Sequence, residues 1–212
     1  MGGGAYWRSL AKELKRQHVD VEALTLELFQ PASSEFIGEF AASGLNMLMT
    51  ISPESGSERV RKAHGRHYSN QQLLDTLKAC NRHHVPLGFF FMIGLAEETR
   101  ETIDESLVLA RKIVELQEDY PTPLLSWGCM LLLDPGSLAF ENPEKFGYKL
   151  LYRSLEDYYG ALLSPSWKDY VSYETKHLNR EQIVNLYLYT MEKLSQIFLE
   201  AKSTSWVRAK LV

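Results

Sequence analysis

Three continuous or nearly continuous apolar runs constrain this chain more than any other feature: LNMLMTIS (residues 45–52), PLGFFFMIGL (86–95) and LLSWGCMLLL (124–133). Each is about as long as a strand, and none alternates with polar residues. A strand with apolar side chains in both phases is what a sheet covered on both faces requires, as parallel sheets are. A fourth strand is predicted in VDVEALTLELF (19–29), where the alternation slips phase near Ala23 and the second half carries the cleaner pattern. Helical spacing fills the intervals. Trp7, Leu10, Ala11 and Leu14 share a face over 6–18. Ser33 or Ser34 caps a short helix through Ala42 that Gly44 stops. Ser69 caps a helix buried through Leu73, Leu74, Leu77 and Cys80 or Asn81. Thr102 and Glu105 have capping-box spacing, with Thr99 a rival cap one turn earlier. Ile103, Leu107, Ala110 and Val114 line the helix that follows.

Strand and helix therefore alternate with short connections, which argues for right-handed parallel crossovers. Four strands are too few to close an eight-stranded barrel, so the residues leave either an open sheet or part of a barrel. From Asp134 the texture changes to turn residues, and no strand is predicted there. A short helix in LEDYYGALL ends at Pro165, and a connector follows in VSYETKHLNREQI. Asn179 and Gln182, at capping-box spacing, open a long helix with Ile183 or Val184, Tyr187, Leu188, Met191, Leu194 and Phe198 on one face.

The net charge of -4, with both signs interleaved, gives no general attraction to nucleic acid or to acidic membranes. The longest apolar stretch, VPLGFFFMIGLA, is too short to span a bilayer. No signal-peptide pattern opens the chain, so the cytoplasm is the expected location, with Cys80 and Cys129 as free thiols. Two cysteines this far apart do not make a four-thiolate zinc or iron–sulfur site.

Glu54 and Ser55 follow the second predicted strand, and Glu97 and Glu98 follow the third. Ligands of α/β folds bind at such carboxyl ends, and Gly56 and Gly94 would let a ligand approach the backbone there. The same residue types also serve as helix caps at strand-to-helix turns. His64 and His67, three apart, have the spacing to share one side of a metal, but no third ligand is near. Arg61, Lys62 and Arg66 either stay solvated and paired or meet an anionic substrate group. Met47, Met49, Met92, Phe89, Phe90, Phe91 and the tyrosines of the last helix read as core. No Gly-x-Ser-x-Gly elbow and no glycine-rich phosphate loop after a strand is present.

The stretch from SPESGSERVRKAHGRHYS through FFFMIGLAEETRETIDESL resembles the second half of the radical S-adenosylmethionine (SAM) enzyme core, in the branch whose members often carry a cobalamin-binding domain. In that family the fourth strand ends in a Glu-Ser-Gly type motif that contacts the methionine or ribose part of SAM. The resemblance carries this role to Glu54, Ser55 and Gly56. The fifth strand ends in a motif like Gly-Leu-Pro-Gly-Glu-Thr that supports adenine. Here it reads Gly94-Leu95-Ala96-Glu97-Glu98-Thr99, with Ala96 and Glu97 in place of the usual Pro and Gly, and Gly94, Leu95 and Glu98 are the matching site residues. LLLDPGS (131–137) is similar to the sixth strand and its loop, and SPSWKDYVSYET to the extension of the cobalamin branch. The Cys-x3-Cys-x2-Cys loop that holds the family's [4Fe–4S] cluster is not in the sequence, and neither Cys80 nor Cys129 takes its place. The resemblance also implies that the first two strands precede this chain, with Gly2 and Gly3 a remnant of a glycine pair.

The fold expected on this basis is α/β: a partial parallel (β/α) barrel of about four strands over residues 1–138, then a mostly helical C-terminal extension over 139–212. The expected function is that of a C-terminal part of a radical SAM enzyme, carrying half of the SAM site. By itself it would neither hold a cluster nor cleave SAM, and the [4Fe–4S] cluster, any cobalamin and the small-molecule substrate would belong to the full-length parent. One alternative is a non-catalytic interaction module, forming a homo-oligomer or pairing with a missing N-terminal half through the strand edge of the truncated barrel. Another is a hydrolase or phosphate-binding protein, which requires Glu54, Glu97 and Glu98 to converge on one substrate atom.

Overall fold

The computed structural model of the chain describes residues 4–17, 22–117, 124–130 and 132–209. Gly2 and Gly3, and residues 19–21 of the predicted first strand, lie outside the described residues. In chain order the elements are α1 (Gly4–Gln17), β1 (Leu24–Leu28), α2 (Ser34–Ala41), β2 (Met47–Glu54), α3 (Glu58–Ala63), α4 (Asn70–Arg82), β3 (Leu87–Ile93), α5 (Arg100–Leu116) and β4 (Leu125–Cys129). They continue as α6 (Leu138–Glu141), β5 (Tyr148–Leu150), α7 (Leu155–Leu162), β6 (Tyr173–Thr175) and α8 (Arg180–Ala209).

The helix starts follow local chemistry. Ser33, not Ser34, caps α2, its side chain accepting from Phe36 N. Ser69 and Gln72 form a capping box on α4. On α5 the earlier candidate wins: Thr99 caps the helix and Thr102 answers as its N3 partner. Asn179 and Gln182 exchange hydrogen bonds of 2.8 and 2.9 Å at the start of α8. Each such cap satisfies backbone N–H groups that have no partner within the helix.

β1 to β4 pair in parallel, in chain order, as one sheet. Met49, Ile51, Leu87, Phe89 and Ile93 point to one face and are fully enclosed there or nearly so. α1, α2, α4, α5 and α8 supply the other side of this core through Ala11, Ile37, Leu77, Ile103, Ile113 and Leu194, among others. Each large aliphatic side chain so buried contributes about 1.5–3 kcal/mol relative to exposure. The partial barrel expected from the sequence is therefore present, as a four-stranded wall with an outer coat of helices.

Two expectations fail here. The strands are not covered on both faces: the alternate residues, including Glu27, Ser52, Ser126 and Gly128, are exposed or half-exposed. Phe90, expected in the core with Phe89 and Phe91, is 47% exposed. Its apolar character reflects an inner cleft and not a second packed layer. On the helices, Leu10 lies at the edge of the buried stripe and Leu188 outside it, because the face of α8 that packs runs through Leu186, Thr190, Leu194 and Ile197.

The extension holds two strands where none was predicted. β5 and β6 pair antiparallel, Tyr148 opposite Thr175 and Leu150 opposite Tyr173. Three residues each are too few to show a period of two in the sequence. They form a second apolar cluster with Ala96, Leu133, Val171, Ile183 and Val184. This cluster lies over the loop that leaves β3. Among the described residues no helix is long and apolar enough to cross a membrane.

Candidate functional site

Glu54 is the last residue of β2 and not, as expected, a residue beyond it. Pro53 gives the ladder no N–H, and pairing with β3 slips there from Ile51–Phe89 to Glu54–Phe91. Glu54 emerges from this irregularity with φ 67, in the left-handed region that a residue with a Cβ rarely adopts. Its carboxylate pairs with the Arg66 guanidinium. Strain of this kind costs about 1–3 kcal/mol and persists where surrounding contacts enforce it.

Glu54 and Arg66 stand on the rim of two adjoining cavities. The larger, about 690 Å³, is polar and lined by Gln30, Glu54, His64, Arg66, His67 and Tyr68. The smaller, about 230 Å³, runs over the uncoated sheet face past Glu27, Phe29, Ser52, Phe90 and Met92. His64 Nε2 is buried without a partner in the first. Burial lowers the His64 pKa, against the raising influence of Glu54 and Glu97, so the imidazole is neutral around pH 7.

Ser55 and Gly56 turn away from these cavities. Ser55 Oγ accepts from Ser57 N at 3.2 Å and lies 3.4 Å from Ser106 Oγ on α5. Gly56 N donates to Ser106 Oγ at 2.9 Å. A Cβ at Gly56 would come within 2.5 Å of Ser106 Cα. The approach of α5 by itself requires the glycine there. Arg61, expected to be solvated or ion-paired, is 1% exposed and lies 3.9 Å from the Glu58 carboxylate. It donates to Ser55 O at 2.8 Å and Tyr68 O at 3.1 Å. It thereby ties the two ends of the α3 segment together and fixes where Glu54 and Arg66 stand.

The loop after β3 is also internally bound. Gly94 N and Leu95 N donate to Glu98 Oε2 at 2.8 and 3.1 Å. Tyr173 Oη shares its hydrogen between Gly94 O at 3.0 Å and Met130 O at 2.9 Å. Ala96 N donates to Tyr148 Oη at 3.2 Å. Gly94 has φ 107, and a Cβ on it would fall 2.1 Å from Tyr173 Oη. Its close neighbour is thus the extension. Glu98 is 0% exposed, and its Oε1 is buried with no hydrogen-bond partner. Burial pushes its pKa up to about 8, only partly opposed by the two backbone N–H groups.

The three carboxylates expected to converge in a hydrolase do not. Glu54 pairs with Arg66, and Glu98 turns inward. Glu97 meets Lys176 at 2.6 Å and His177 at 3.6 Å. The hydrogen bond from Lys176 lowers the Glu97 pKa. Sequence reasoning missed Tyr148 and Tyr173, which sit in segments read as turn and connector. It also missed Glu27, read only as the polar phase of a strand.

Cluster iron is held by several thiolates. Cys80 is enclosed in α4 and Cys129 half-buried at the end of β4, and burial raises their thiol pKa values to about 12 and about 11. Among the described residues no group of three or more His, Cys, Asp or Glu side chains is placed to hold a metal ion. The residues of this chain therefore do not fit a [4Fe–4S] cluster.

The profile of the Radical SAM superfamily matches residues 3–110. Among solved structures, the chain is similar to the radical S-adenosylmethionine methyltransferase TsrM from Kitasatospora setae with cobalamin and [4Fe–4S] cluster bound. That likeness has a TM-score of 0.54 at 16% identity and covers 79% of this chain and 34% of that one. The same enzyme with tryptophan substrate and the SAM analog aza-SAM bound matches with a TM-score of 0.46 at 16% identity, over 58% of this chain and 24% of that one. No curated protein matches. The chain spans about a third of the solved relative, and at this identity the TM-score of 0.54 speaks to the fold alone. The family profile, by contrast, extends over half of the chain, from α1 through β3 and into α5, and on that ground the protein belongs to the Radical SAM superfamily.

Proposed function

We propose that this chain supplies the C-terminal wall of a SAM site in a radical SAM enzyme. The observation that carries the reading is Glu54, held in a left-handed conformation and paired with Arg66 at the carboxyl end of β2, on the rim of a polar cavity of about 690 Å³. An ionised carboxylate there accepts hydrogen bonds from ribose hydroxyls or from the methionine ammonium, and Arg66 meets the methionine carboxylate. Ser55 and Gly56 anchor this edge to α5. Gly94, Leu95 and Glu98 form the adjoining adenine wall, stiffened by the hydrogen bonds inside the loop.

The [4Fe–4S] cluster requires cysteines from polypeptide outside this sequence. Alone, the chain neither binds a cluster nor cleaves SAM. Cobalamin and a small-molecule substrate belong to the parent, as they do to TsrM.

Calorimetric titration with SAM tests the proposal. Weak binding is expected, with Kd on the order of 0.1–1 mM, reduced about tenfold by Glu54→Gln, the loss of one charge-assisted hydrogen bond. Nanomolar binding without iron would contradict it, and so would binding that Glu54→Gln leaves unchanged. Co-expression with a cysteine-bearing partner that restores the brown colour of iron–sulfur protein would support the divided site.

A second reading, an interaction module, is favoured by the edge of β1. That strand pairs only with β2 among the described residues, and Phe29 beyond it is 64% exposed. Unpaired edges recruit strands from other chains. Sedimentation of a clean monomer at high concentration would argue against it.

A further inference from the structure

We infer that the smaller cleft is a co-substrate compartment for an organic ammonium compound with a flat apolar body. The inference rests on the SAM reading of the larger cavity, which shares Phe29, Glu54 and Arg66 with it.

The cleft is lined chiefly by apolar side chains, Leu28, Phe29, Phe90, Phe91 and Met92, with Ser52 the one small polar residue among them. Phe29 and Phe90 are 64% and 47% exposed, so their rings are open to a ligand there. Exposed aromatic rings in an apolar slot suit a planar apolar group, which gains from both burial and ring contact.

Charge sets the polar end of the ligand. Glu54 is neutralised by Arg66. Glu27, the register partner of Thr50 on β1, accepts a hydrogen bond from Ser52 Oγ at 3.4 Å. Among the described residues no cationic side chain pairs with it. The compartment thus carries one unbalanced carboxylate beside an apolar slot. A carboxylate so placed favours an ammonium group and repels a carboxylate-bearing isostere.

The test uses the full chain titrated, by ligand-observed NMR, with phenethylamine, 3-phenylpropionate and the neutral 2-phenylethanol, and separately with SAM. The amine is expected to bind at least tenfold more tightly than the acid, with the alcohol between them. Glu27→Gln, an isosteric change at an exposed position, should bring amine and alcohol to near equality while leaving SAM binding unchanged. Phe90→Ala should weaken amine and alcohol together. The inference is overturned if amine and acid bind alike, if no probe binds, or if Glu27→Gln weakens SAM as much as the amine. That last result would make Glu27 part of the SAM site. Failure of SAM to bind at all, with the amine preference intact, would instead sink the SAM reading and keep the compartment.

Discussion

Replacing Glu98 by Gln should make the protein more stable at alkaline pH, not less. The Glu98 carboxyl is pushed from the ordinary glutamate value of 4.5 up to about 8 in the folded chain, because its enclosed position penalises the charged form. Its folded pKa is therefore raised. Below pH 4.5 both folded and unfolded states hold the proton, and the full contribution of the group is present. Between the two values the folded chain keeps a proton that the unfolded chain has released, so stability falls as pH rises, and the loss is complete above pH 8. At about 1.4 kcal/mol per unit, the fall amounts to roughly 5 kcal/mol as an upper figure, since local opening lets water relieve part of it. Glutamine keeps the amide oxygen that accepts from Gly94 N and Leu95 N and has no charge to release. Urea unfolding of both proteins from about pH 5 to about pH 8 measures the difference. The midpoint of Glu98→Gln should gain on the wild type steadily with pH and exceed it at the alkaline end. Curves that stay parallel over the whole range would refute the buried, proton-retaining carboxyl group.

Two further outcomes follow from the same loop and from the thiols. Gly94→Ala should cost about 3 kcal/mol or more in thermal unfolding, and adding Tyr173→Phe should recover only part of it, because removing the hydroxyl relieves the contact while φ 107 remains. Thiol titration with a disulfide reagent should label Cys129 slowly at neutral pH and Cys80 only on unfolding, since Cys80 is fully buried with a pKa near 12 and Cys129 is half-buried with a pKa near 11.

The strand order and helix starts were legible because their causes are local. Apolar runs announce strands, and Ser69, Thr99 and Asn179 cap their helices with partners three residues on. What was not legible is long-range. Phe90 and Phe89 are adjacent and chemically identical, but they point to opposite faces of β3, and only the helices packed on one face make Phe89 core while Phe90 lines the cleft. Glu98 reads as one more acidic residue before a helix. Its burial depends on Tyr148 and Tyr173, whose contacts with this loop span 52 and 79 residues. The glycines of both motifs also meet packing neighbours that the sequence does not announce: Gly56 lies against Ser106 and Gly94 against Tyr173. Cofactor motifs and packing constraints draw on the same residue types.

The clasp of Tyr173 on Gly94 and Met130 also sets an order of assembly. The chain emerges from the ribosome with its amino end first, so β2 and its rim of Glu54 and Arg66 are complete while the partner of the β3 loop is still unmade. The Gly94 carbonyl waits for a hydroxyl encoded 79 residues later, and contacts of such separation form late because the loop they close is costly. The loop from Gly94 to Glu98 in its bound form is thus a late product of synthesis. A nascent chain halted before Tyr173 would carry one rim of the site finished and the other open to water.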